Sequence, residues 1–176
     1  MALCSKEVKS RRRFLCNINR TGYPVRRRRL MVDPRAKGAT GERQVKELLK
    51  KHTNLDFQRV PMSGALEFMK GDLFVPNKEN IYCIEVKNYK DNHFTDKVIS
   101  TTSNQFIKWW EQTTEQAKKG DQKPILFFKY NRSKIYVAQE EEPLKVEKYM
   151  YVKHLGCYVS LATDWLIFEQ PRFING

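Results

Sequence analysis

The sequence predicts an α/β fold, a mixed β-sheet flanked by helices. Three observations carry that expectation. A helical pattern over Lys37–Lys51 precedes three short segments rich in β-formers, the third being Ile81–Lys87. A second helical pattern, Ser103–Lys119, follows them. Two further extended segments, Pro124–Tyr130 and Lys134–Ala138, come next. The order α-β-β-β-α-β, with additions at the C-terminus, gives a layered arrangement of helices on a sheet.

In the first helix, Val45, Leu48 and Leu49 recur at helical spacing, with Lys46, Glu47, Lys50 and Lys51 opposite. Thr40 is placed to cap it. Gly41 inside it costs about 1 kcal/mol relative to alanine, which calls for a close packing contact or a later helix start. The strand candidates Asp56–Val60 and Asp72–Val75 end at Pro61 and Pro76, with the turn Ser63-Gly64-Ala65 between them. Asn77–Asn80 is of hairpin length. In the second helix, Phe106, Trp109, Trp110, Thr113 and Ala117 form the apolar stripe, so both tryptophans read as core. Gly120 ends it. The polar turn Asn131-Arg132-Ser133 joins the next two strands. Cys157–Leu161 is a further strand, and Trp165–Phe168 a short amphipathic segment. Tyr149-Met150-Tyr151 is either ordinary packing or a dimer surface.

Three regions follow. Residues 1–36 form a basic arm, 37–138 the core, and 139–176 a C-terminal extension packed on it. The chain carries a formal net charge of +13, which points to a polyanionic partner. Residues 1–36 hold 11 Lys/Arg against 2 Asp/Glu, and the remaining 140 residues hold 22 against 18. Most of the excess is therefore in the arm, with Arg11-Arg12-Arg13 and Arg26-Arg27-Arg28-Arg29. The arm either touches nucleic acid or is a dispensable extension before a start at Met31. The four cysteines, Cys4, Cys16, Cys83 and Cys157, lack zinc-ligand spacing and read as free thiols in a reducing compartment. No apolar run spans a bilayer and no secretory signal opens the chain, so no membrane partner is expected.

The chemistry concentrates in Gly71-Asp72 and Ile84-Glu85-Val86-Lys87. Alternation along a strand puts Glu85 and Lys87 on one face, with Ile84 and Val86 on the other. Asp72 opens the preceding strand. Two carboxylates can hold a hard divalent cation, and a lysine beside them can orient water or offset charge on a phosphoryl group. Glu42 lies three and seven residues before Val45 and Leu49, on the apolar side of the first helix, and could face the same cluster. A blander reading stands beside this one, in which Glu85 and Lys87 are a surface pair on an edge strand.

Lys37-Gly38-Ala39, Glu42-Arg43, Arg59-Val60-Pro61-Met62-Ser63-Gly64, Gly71-Asp72 and Ile84-Glu85-Val86-Lys87 together resemble the PD-(D/E)xK nuclease superfamily. Their order and spacing are most similar to archaeal-type and phage Holliday junction resolvases. The resemblance implies a restriction-endonuclease-like core. It implies metal ligation by Asp72 and Glu85, with Glu42 as an accessory metal or water contact, and makes Lys87 the catalytic lysine. It places Lys37, Arg43, Arg59 and Ser63 on DNA. Lys90, flanking the motif, is a further expected phosphate contact, while His93 reads as an ordinary loop residue. Gly71 stands where the family has proline. Gln105, Gln112 and Gln116 lie on the second helix and read mainly as a solvated face. If one braces the site, Gln116 is the choice.

The expected activity is magnesium-dependent DNA hydrolysis, with manganese as substitute. The expected enzyme is a homodimeric resolvase of branched DNA, acting in recombination or repair. Its expected location is the cytoplasm of a prokaryote or phage-infected cell. A related exonuclease or restriction-like enzyme, or a non-catalytic nucleic-acid-binding protein, are the alternatives.

Overall fold

The computed structural model describes residues 34–60 and 70–175. The arginine blocks of the arm, Cys4, Cys16 and the Ser63 turn lie outside them. The first helix, α1, runs Pro34–Thr53, three residues earlier than its apolar periodicity indicates. Proline suits a first turn because its missing N–H has no intrahelical acceptor there. Thr40 is consequently inside the helix rather than its N-cap, and its hydroxyl donates to the Ala36 carbonyl at 2.8 Å. The boundary expected at residue 37 thus falls within α1.

Among the described residues seven strands form one sheet: β1 (Gln58–Arg59), β2 (Leu73–Phe74), β3 (Tyr82–Tyr89), β4 (Lys123–Tyr130), β5 (Tyr136–Gln139), β6 (Tyr149–Val152) and β7 (Cys157–Leu161). Their spatial order is β1-β2-β3-β4-β5-β7-β6. Only β3 and β4 pair in parallel. The other neighbours are antiparallel. The parallel pair needs a crossover, supplied by the short α2 (Lys97–Ser100) and by α3 (Gln105–Lys119). A final helix, α4, spans Ala162–Phe168.

Alternation along β4 explains the layers. Ile125 and Phe127 pack with Val45 and Leu49 of α1, and with Trp165 and Leu166 of α4. Leu126 and Phe128 pack with Phe106, Trp109 and Trp110 of α3. Both tryptophans are core residues, and Trp110 Nε1 donates to the Leu155 carbonyl at 3.0 Å. Asn104 caps α3, accepting from the Ile107 amide at 3.1 Å. The C-terminal extension joins the same sheet: β7 pairs with β5, and β6 forms the outer edge with Tyr149, Met150 and Tyr151 exposed.

One contact fixes α1 on the sheet. A Cβ at Gly41 would lie 2.5 Å from Asn88 Cβ. The Asn88 amide also donates to the Lys37 carbonyl at 2.9 Å. The close approach expected at Gly41 is therefore the seat of α1 against the end of β3.

Candidate active site

Asp72 is placed by its neighbour. Gly71 has φ +85°, and a Cβ there would lie 2.6 Å from the Ile84 carbonyl oxygen. Proline, locked near φ −65°, cannot take this conformation. Glycine can, and it lets the chain press against β3. The Asp72 amide then donates to Ile84 O at 2.6 Å. Its carboxylate Oδ2 accepts from the Val86 amide at 2.8 Å. Asp72 is in effect bolted to β3 on either side of Glu85.

Glu85 is 4% exposed, on the face of β3 that meets α3, and its strand partner in register is Leu126. A charge in such surroundings requires a partner. Lys87 provides it, with Nζ donating to Oε1 at 2.5 Å. Gln112 Nε2 of α3 approaches the same oxygen at 3.5 Å. The edge-strand surface pair is excluded, since β3 lies between β2 and β4 and Glu85 is buried.

The Asp72 carboxyl is raised to about 7, by burial first and the charge of Glu85 second. The Val86 hydrogen bond and Lys87 oppose this, and Glu42 adds to it. Cys83 lies on the same strand face. Burial, with Glu85 and Asp72 adding, pushes its thiol up to about 12. It stays protonated and is no nucleophile.

Glu42 is half-buried on α1 and forms an ion pair with Arg59 Nε. Among the described residues no three His, Cys, Asp or Glu side chains form a ready metal cage. Glu42, Asp72 and Glu85 do not make a ready three-carboxylate cage; Glu42 is paired with Arg59, and its charge still acts on Asp72. Asp72 and Glu85 remain as a pair of neighbouring carboxylates. Their donor set fits a hard divalent cation, which binds through one or two carboxylates and keeps its waters. The mutual repulsion that raises Asp72 is what such a cation would relieve.

Of the expected DNA contacts, Arg43 and Lys90 are exposed, and Arg59 is exposed although paired with Glu42. Lys37 Nζ donates to Asn131 Oδ1 at 2.7 Å. His93 packs edge-on against Tyr89 and Trp109, at 5.3 and 5.2 Å between centroids. Gln116, the expected choice, is not the glutamine that approaches Glu85. Gln112 is the glutamine that reaches Glu85, while Gln116 Oε1 is buried with no hydrogen-bond partner among the described residues. The two are one turn apart on the same side of α3, so periodicity could not separate them.

Residues 33–160 match the model of a family described as "Phage putative PDDEXK endonuclease". The chain belongs to that family. This PD-(D/E)xK nuclease is 33% identical over 132 residues to Protein D14 of Escherichia phage T5, covering 72% of the chain and 82% of the relative. The solved structure of Hjc, a Holliday junction resolvase from the archaeal hyperthermophile Archaeoglobus fulgidus, aligns with 74% of the nuclease and 93% of its own length. Identity there is 19% and the TM-score 0.39, a likeness that bears on neither substrate nor site. PD-(D/E)xK nucleases in general use divalent metal ions. No described helix of the nuclease is long and apolar enough to cross a membrane.

Proposed function

We propose that the nuclease is a magnesium-dependent DNA endonuclease, with manganese as substitute, that cuts branched DNA in the manner of a Holliday junction resolvase. The observation that carries the catalytic part is the buried Glu85, flanked by Asp72 and bonded to Lys87. The motif order from Lys37 to Lys87, similar to the archaeal-type resolvases, supports the junction substrate.

Asp72 and Glu85 would hold the cation. When bound, the cation offsets charge on the phosphoryl oxygens and makes water a stronger nucleophile. Lys87 is positioned by Glu85 at the mouth of this pair, where its ammonium orients the attacking water and stabilises the developing negative charge. Asp72 is held rigid by the Val86 amide, which limits reorganisation as charge develops. Glu42 acts from a distance, by its charge on Asp72 and its hold on Arg59. Arg43, Arg59, Ser63, Lys37 and Lys90 contact the DNA backbone. Two-fold symmetry of a homodimer would match the paired scissile phosphates of a junction. Activity is placed in the cytoplasm of a prokaryote or phage-infected cell.

The test offers purified protein, with magnesium, a four-way junction, a linear duplex and a flap. The reading expects paired symmetric nicks on the junction. Preference for linear ends without such nicks replaces the resolvase with a repair or recombination exonuclease.

A further inference from the structure

A second group of cations stands at the C-terminal ends of the parallel strands β3 and β4, on the sheet face opposite Glu85 and Lys87. Lys129 follows Phe128 on β4 and pairs in register with Asn88. Its Nζ donates to Gln44 Oε1 of α1 at 2.8 Å. Lys37 approaches from the first turn of α1, and its Nζ is held by Asn131. The Asn131 amide donates to the Lys90 carbonyl at 3.3 Å, tying the exits of both strands together.

The partners of these cations are unusual for a structural role. Lys37 and Lys129 are oriented by neutral amide oxygens, and among the described residues neither forms an ion pair with a carboxylate. The Lys37 ammonium is lowered from its ordinary value, first by burial and then by Lys90 and Lys129, with Asp91 opposing. Lys90 and Lys129 thus both act on Lys37, and Asp91 is an acid that acts on it in the opposite sense. Lys37 also occupies a helical first turn containing no acidic residue, where the helix dipole disfavours a cation and favours an anion. Like charges gathered and aimed in this way are costly until an anion arrives.

We propose that Lys37, Lys90 and Lys129 form a second phosphate-binding site, which grips the DNA backbone away from the scissile bond, with Gln44 and Asn131 as positioning residues. DNA as the ligand rests on the nuclease reading above. Asn88, beside Lys129, is three residues beyond Glu85, about 10 Å along the strand. That is about three phosphates of axial rise on one DNA strand. Along the strand this offset is within the span of one duplex, which must pass over the C-terminal ends of β3 and β4 to meet both faces of the sheet.

The experiment is fluorescence anisotropy of the full chain with a labelled duplex, without metal, over about 50–200 mM salt. Each phosphate contact contributes about 0.9 to the slope of log affinity against log salt. Lys37→Gln with Lys129→Gln should reduce the slope by about 2 and weaken low-salt binding about tenfold or more. Lys129→Arg, which keeps the charge, should keep the slope. Lys145→Gln with Lys148→Gln, in the exposed segment before β6, should not move it. An unchanged slope in the Lys37/Lys129 double variant overturns the site. Wild-type protein that binds DNA but never nicks it with magnesium overturns the nuclease reading, and a slope loss in the double variant then still supports the site. No salt-dependent binding by the wild type overturns the site outright.

Discussion

Asp72 Oδ2 accepts the Val86 amide at 2.8 Å, so a carboxylate just before β2 takes a backbone donor of β3. The bond holds Asp72 beside the buried Glu85, although the two repel each other. The cost of that placement makes Asp72 the first residue to test. Its carboxyl is raised from 3.8 to about 7, so the folded protein binds this proton more tightly than the unfolded chain. Stability from this group is greatest below pH ~4, falls as pH rises through the window between the two values, and is lowest above pH ~7. Asp72→Asn keeps an acceptor for Val86 and removes the charge. Without metal it should stabilise the protein at pH 8 by about 1–2 kcal/mol, after discount for partial exposure to water. Near pH 4 it should gain nothing. Thermal melts at both pH values check this.

Lys87→Met removes the ammonium and keeps most of the stem. It should lower the cleavage rate by about 100-fold or more, the scale of losing one preorganised charge stabiliser. Metal-free DNA affinity should change little. The variant also leaves Glu85 buried without its cation, so about 3 kcal/mol of stability should be lost. Single-turnover cleavage, anisotropy and denaturant melts separate the three effects.

Gly41→Ala sets helix propensity against packing. Alanine gains about 1 kcal/mol in a helix interior. The added methyl would meet Asn88 Cβ at 2.5 Å, and overpacking of this kind costs about 1–3 kcal/mol. Net destabilisation is expected by urea denaturation, together with weaker DNA binding, because α1 carries Lys37.

Deletion of residues 1–30 tests the basic arm. If the arm contacts DNA, the salt slope of binding should flatten, since it carries 10 Lys/Arg against one acid. Cleavage at saturating DNA should persist. An unchanged slope favours a functional start at Met31.

The sequence made the layered α/β plan legible because α1 and α3 have a helical period and β3 and β4 are runs rich in β-formers. β7 was legible to the residue. The start of α1 at Pro34 was hidden because residues 34–36 bring no apolar periodicity. The placing of β6 and β7 in the main sheet was hidden because pairing order is a tertiary outcome. Asp72, Glu85 and Lys87 were readable from strand alternation and motif order. The pairing of Glu42 with Arg59 was not, since it depends on how α1 lies across the edge of the sheet. Gln112 and Lys129 were missed for a related reason. Each makes its contact only with an element distant in sequence, β3 for Gln112 and α1 for Lys129.

The proposed catalytic group is Asp72 and Glu85, with Lys87 beside them. The most direct measurement is nicking of a labelled four-way junction by Glu85→Gln, titrated with magnesium and run beside the wild type, with anisotropy on the same samples. The wild type should give magnesium-dependent nicks. Glu85→Gln should give no product at any magnesium concentration, with DNA binding retained. Cleavage by Glu85→Gln at the wild-type rate would contradict this assignment.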